Sequence, residues 1–271
     1  MLRGTVVVTG ATSGIGLETA RRLAERVDRL VVQGPEPEER VDDLIASIRT
    51  QGADVEYVSC DFSRLASVVD GAAAIAAAAA GPIDALVNNA GIPGADVRRL
   101  TVDGHERTLQ VNYLAMVLLT ARLRPALDDA ARIVNLGSAT HEMTSLDLDD
   151  IELEHGYSGV RAYARSKLAI IMYTRWLAGR LPRGATAVSL SPGVISTDLL
   201  HAMFGASGAS VEHGASNVVD ALTTDAAGGE YYDDGRLVEP SAEARDDRET
   251  DALMRWTARA LAEHADAASF G

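Results

Sequence analysis

The chain has 271 residues, of which 47% are hydrophobic and 24% charged, with a formal net charge of −14. That length can bury a sizeable core in one large α/β domain or two small ones. The acidic balance serves solubility and argues against nucleic-acid phosphates and anionic membrane surfaces as partners. The single cysteine, Cys60, rules out an intrachain disulfide and suits a reducing cytoplasm. Met1 to Gly4 leads directly into a strand-like run with no signal-peptide pattern. No apolar stretch reaches about 18 residues, so no membrane span is expected.

The first predicted strand is the β-branched run Thr5 to Thr9, followed by T-G-A-T-S-G-I-G with Gly10, Gly14 and Gly16. Leu17, Ala20, Leu23, Ala24 and Val27 then recur at helical spacing. Strand, glycine turn, helix is the context of a dinucleotide site. Glycines allow backbone to approach a pyrophosphate, and the helix N-terminus supplies free N–H groups. A second strand (30–33) ends in Gly34-Pro35-Glu36-Pro37, and a helix is expected over about 38–50. A third strand (55–59) ends at Cys60-Asp61-Phe62, before a helix over roughly 64–80 whose alanine-rich end has strong helix propensity. The fourth strand (85–87) ends in Asn88-Asn89-Ala90-Gly91. A long helix near 102–123, a strand at 132–136, a helix bearing Tyr163 and a strand at 187–190 follow, the last ending at Ser191-Pro192-Gly193. Strands alternating with helices predict a parallel, doubly wound α/β sheet with helices on both faces, in one domain.

Tyr163-Ala164-Arg165-Ser166-Lys167 stands out by composition, because Lys167 is the only lysine among 25 basic residues. Arginine fills every other basic position, so this one calls for a compact ammonium on a flexible stem. Tyr163 and Lys167 share a helix face at i and i+4. An ammonium there is expected to lower the phenol's pKa and make it a general acid or base.

Together these motifs resemble the short-chain dehydrogenases/reductases. T-G-A-T-S-G-I-G, Asn88-Asn89-Ala90-Gly91, Asn112, Ser138, Tyr163-x-x-x-Lys167 and Pro192-Gly193-x-x-x-Thr197 appear in order over residues 4–240. Within that family the chain is most similar to the retinol-dehydrogenase-like branch. The long insertion between Ser138 and Tyr163, Asn135-Leu136-Gly137-Ser138, His141 and Tyr157-Ser158 carry that likeness. The resemblance implies a Rossmann-like fold, with a dinucleotide-binding part at about 4–135, a catalytic and lid part at 136–240, and a helical tail at 241–271. It implies NAD or NADP as cofactor and an alcohol or carbonyl as substrate.

By resemblance, Tyr163 moves the substrate proton, Lys167 tunes it and holds the nicotinamide ribose, Ser138 holds the substrate oxygen, and Asn112 holds a relay water. The cofactor would lie along Gly10, Thr12, Ser13, Gly14, Ile15 and Gly16. Asp61 and Phe62 would meet the adenine, Asn88, Ala90 and Gly91 the adenosine ribose, and Pro192, Gly193, Val194 and Thr197 the nicotinamide. A homodimer or homotetramer is compatible with the family.

Weaker candidates surround these. His141 and Met143 are placed for substrate contact, although a loop histidine without a catalytic role fits as well. Leu199, Leu200, Met203 and Phe204 read either as a lid with an apolar inner face, favouring an apolar small molecule, or as plain core. The acidic run Asp147, Asp149, Asp150, Glu152, Glu154 lacks a calcium-loop glycine and reads as a solvated loop, with no metal expected. The apolar positions between Thr250 and His264 suggest a helix packing on this chain or on a partner. The positions that usually decide cofactor choice hold Gly34 and Pro35, and Glu36, Glu38 and Glu39 follow. Like charge there would repel a 2′-phosphate, which leans the choice to NAD. The rivals are a catalytically silent dinucleotide-binding sensor or scaffold, and a dehydratase or epimerase, which the glycine spacing disfavours.

Overall fold

In the computed structural model, which describes residues 4–265, the strand–helix alternation builds one eight-stranded sheet in the order β3-β2-β1-β4-β5-β6-β7-β8. The strands are β1 (Thr5–Thr9), β2 (Arg29–Gly34), β3 (Asp54–Ser59), β4 (Ile83–Asn88), β5 (Leu127–Leu136), β6 (Thr186–Ser191), β7 (Tyr231–Asp233) and β8 (Arg236–Val238). All neighbours pair in parallel except β7 with β8. Val6, Val7, Val8, Leu86, Val87, Ile133 and Val134 are fully buried, as expected for parallel strands covered on both faces.

One face carries α1 (Gly14–Ala24), α2 (Asp42–Arg49) and α8 (Val211–Thr223), whose apolar sides join a core around Val6, Leu30 and Val188. The other carries α3 (Leu65–Ala79), α5 (Ala115–Leu123), α6 (Gly159–Ala178) and α9 (Asp247–Ala260), packed around Val7, Leu86 and Ile133. α9 docks on its own chain: the buried Tyr113 hydroxyl meets Thr257 Oγ1 at 2.7 Å. The C-terminal helix thus packs on this chain, as one of the two readings had it. The final stretch of the expected tail (266–271), like the opening residues 1–3, lies outside the described residues.

Four features depart from the sequence reading. The helix expected over 38–50 is a 3₁₀ turn, Glu38–Arg40, then α2, separated at Val41 by a non-helical φ of −121°. The helix expected from 102 starts only with α4 (Arg107–Leu109), because residues 100–106 fold into a turn. Thr101 N donates to His105 O there, Gly104 has φ +87°, and the Glu106 carboxylate caps Thr108 N and Leu109 N. α4 then passes through a π-helical segment, Gln110–Leu114, into α5. The β7–β8 hairpin and α8 were not anticipated: each hairpin strand is only three residues long, too short for a periodic signal.

The strand order reverses between β1 and β4, the place where a doubly wound sheet opens a crevice at its carboxyl edge.

Candidate active site

A cavity of about 860 Å³ occupies that crevice. Its floor is the turn after β1. Gly10 turns there with φ +63°, and a Cβ on Gly16 would sit 2.1 Å from Gly10 O, so the turn closes only without side chains. Ser13 caps α1 in extended conformation and makes no side-chain bond to the first turn. The first N–H groups of α1, from Gly14, Ile15 and Gly16 on the cavity wall, therefore remain available to an anion. Thr12 and Ser13 line the same end, while Asp61, Phe62, Ala90 and Gly91 line the side toward β3 and β4. Asp61 uses Oδ1 to accept from Ser63 N and Oγ at 2.8 and 2.7 Å, leaving Oδ2 for a ligand.

At the far end α6 delivers Tyr163 and Lys167 one turn apart, with Nζ 5.4 Å from the ring centroid. Lys167 Nζ donates to Leu136 O at 2.8 Å, which uses one of its three protons. Both side chains are buried. Burial pushes the Tyr163 phenol up to about 12, with the Ser138 hydroxyl pulling the other way, and brings Lys167 down to about 8. Desolvation thus raises the phenol, where the sequence had suggested that the ammonium would lower it. Ser138 follows β5, and its Oγ accepts from Thr140 N and Thr140 Oγ1 at 3.2 and 3.0 Å. Its own proton is left for the Tyr163 oxygen or a ligand oxygen in the cavity. Pro192, Gly193, Val194 and Thr197 line this end, with Leu199 and Phe204 from α7 (Asp198–Phe204).

Five expected site residues do not line the cavity. Asn88 is a buried strut: its amide donates to Thr120 Oγ1 and Asn135 Oδ1, and Asn135 donates on to Thr174 Oγ1. His141 is wholly buried behind Ser138. Ser241 N donates to its Nε2, so the proton sits on Nδ1 and donates to Ser138 O at 2.8 Å. Asn112 spends its amide clamping Ile92 and Ser166, within the π-helical segment. Met143 is 62% exposed, pointing outward beside the His141 turn, and Met203, half-buried on α7, does not reach the cavity lining.

Other lining residues went unread in the sequence. Gln33 is buried at the end of β2, where it accepts from Gly10 N and donates to Cys60 O at 2.7 Å. A polar residue ending an otherwise apolar strand was the available signal. Asn89 holds Thr9 O and Gly10 O at 2.8 and 3.1 Å. Glu36, already read in the sequence as bearing on cofactor choice, also lines the cavity, and its shielded Oε2 has no partner among the described residues.

The residues present fit a dinucleotide. A side-chain-free turn, uncapped helix N–H groups, an orphan carboxylate oxygen and a buried lysine with two protons to spare are spread along one elongated cavity.

The short chain dehydrogenase family pattern matches residues 4–206. Mouse (Mus musculus) polyprenol dehydrogenase is 38% identical over 265 residues, covering 89% of this chain and 78% of that one. Human (Homo sapiens) retinol dehydrogenase 12 is 35% identical over 206 residues, covering 72% and 60% respectively, so the chain spans under two thirds of that relative's length. The crystal structure of a short chain dehydrogenase from Burkholderia cenocepacia in complex with NADP superposes with a TM-score of 0.69 at 28% identity, covering 86% of this chain and 96% of that one. With its sheet order, glycine turn and paired tyrosine and lysine in place, the chain belongs to the short-chain dehydrogenase/reductase family, as an oxidoreductase acting on CH–OH or C=O groups.

Proposed function

We propose that the chain transfers hydride between a nicotinamide dinucleotide and an alcohol or carbonyl of an apolar small molecule, with Tyr163 as general acid/base. The observation that carries this is the convergence of Tyr163, Ser138 and Lys167 at one end of a cavity whose other end is the Gly10–Gly16 turn. The α1 N-terminus would hold the pyrophosphate, Asp61 and Phe62 the adenine side, and Lys167 the nicotinamide ribose. Bound there, the nicotinamide supplies or accepts the hydride. The neutral Tyr163 phenol gives its proton to the carbonyl oxygen in reduction and takes it back in oxidation. Ser138 donates to the same oxygen and holds it against the phenol.

Apolar substrates are supported by Ile195, Leu199, Leu200 and Phe204 around the reacting end, and by the polyprenol and retinol in the relatives' names. Among the described residues no helix is long and apolar enough to cross a membrane. A silent dinucleotide sensor would not need the acid/base pair that the cavity retains. NAD is the favoured cofactor. Glu36 Oε2 is a buried acceptor looking for a donor, which a ribose 2′-hydroxyl provides and a 2′-phosphate does not. The neighbouring structure bound NADP, so this chain's acidic segment sets the expectation apart.

A panel of apolar alcohols and carbonyls with both cofactors, followed by nicotinamide absorbance, tests the reading. Turnover with NAD(H) is expected, and failure to turn over or bind either cofactor would overturn it. Glu36→Gln should bring NADPH affinity toward that of NADH by about tenfold, since one repelling charge is lost. An unchanged ratio would remove Glu36 from cofactor choice.

A further inference from the structure

The β7–β8 hairpin brings to the cavity wall a residue that the proposed chemistry leaves unused. Asp234 stands at its turn with φ +49°, a left-handed conformation that aspartate and asparagine enter more readily than other residues with side chains. Its N–H donates to Ser191 O, the last residue of β6, at 3.0 Å. Its Oδ1 accepts from His213 Nε2 at 2.6 Å and from Asn217 Nδ2 at 3.0 Å, both on α8. The same Asn217 nitrogen donates to Pro192 O at 3.1 Å. Gly193 passes directly over the carboxylate: with φ +92°, a Cβ there would meet Asp234 Oδ1 at 2.8 Å. One carboxylate therefore ties the end of β6, the inner side of α8 and the Pro192–Gly193 turn together.

The His213–Asp234 pair does little for global stability, because its side chains are 46% and 56% exposed. Asn217 is buried, and it is the member that reaches the turn itself. Beyond the turn, Ser196 N donates to Ala209 O and Ala209 N to Val194 O, so the segment is fixed on its far side as well. Between those two anchors, the placement of Pro192 and Gly193 depends on the Asp234 acceptor.

We propose that Asp234 is a positioning residue: with His213 and Asn217 as donors, it sets how closely the Pro192–Gly193 turn approaches the nicotinamide half of a bound dinucleotide. This rests on the dinucleotide reading given above. Asp234→Gly keeps the left-handed turn and deletes the acceptor, whereas Asp234→Asn keeps an acceptor oxygen and tolerates the turn.

The test compares NADH with ADP-ribose, which carries the adenosine and pyrophosphate but no nicotinamide, by calorimetric titration of wild type and both variants, with melting temperatures alongside. The glycine variant should bind NADH at least about fivefold more weakly and ADP-ribose within about twofold of wild type. The asparagine variant should recover most of the NADH affinity. Unchanged NADH binding in the glycine variant, equal losses for both ligands, or no rescue by asparagine would overturn the inference. If wild type bound neither ligand, the dinucleotide reading itself would fall, and that outcome is distinct from wild-type binding that survives Asp234→Gly.

Discussion

Tyr163 is a neutral phenol in this site, and its neutrality decides how its proton runs. Burial pushes it to about 12, so it stands ready to donate to a carbonyl oxygen, while Lys167, lowered to about 8, stays mostly charged at neutral pH. Lys167→Arg should cut turnover at least about tenfold, although charge is kept, because a planar guanidinium cannot both reach Leu136 O and present compact donors to a ligand. Near wild-type turnover in that variant would remove the assigned role. At this scale the sequence was legible where chemistry demands a residue type, as in the lone lysine. It was not legible where a residue type has two uses. Asn88, Asn112 and His141 look alike as ligand contacts or as buried struts, and only the cross-element bonds to Asn135, Ile92 and Ser241 show that their side chains brace neighbouring elements.

The helix from α4 to α5 and the insertion after Ser138 depend on each other. Glu152 in the insertion pairs with His105 Nδ1 at 2.6 Å and accepts from Glu106 N at 2.8 Å. The acidic run is thus partly structural rather than merely solvated, and Asp150 likewise caps Glu154 N and His155 N. The Glu152 hydrogen bond raises the His105 pKa above 6.5, so its stabilisation is fully present below 6.5 and is lost as pH rises through the raised folded value. Wild type should therefore melt above Glu152→Gln by a wider margin at about pH 6 than at about pH 9, as the imidazole gives up its proton with rising pH. A margin that widens with pH would contradict this. Thr257→Val leaves the hydroxyl of Tyr113, buried within the π-helical segment, without its 2.7 Å partner. It should cost about 1–3 kcal/mol in urea unfolding. No loss would mean that α9 does not dock on the π-helical segment as described.

Over the whole molecule, alternation of apolar runs with helical spacing announced the parallel sheet, and the strand-end motifs announced its carboxyl edge. The expected strand and helix centres agree with the structure from β1 to β6. The parts that escaped are β7, β8 and the turn before α4, which are short and fixed by tertiary bonds rather than by their own periodicity, and α8, although its Ala215, Val218, Val219 and Leu222 recur at helical spacing. Because the cavity runs from the uncapped α1 N-terminus to Tyr163, binding and chemistry occupy separate ends and can be lost separately. The most direct measurement is therefore Tyr163→Phe, assayed for both NADH affinity and turnover of the best alcohol or carbonyl found. The account predicts affinity within about threefold of wild type and turnover lower by roughly a hundredfold or more, since only the proton donor is gone. Turnover that survives the loss of this hydroxyl would place the acid/base function on another group and contradict the account.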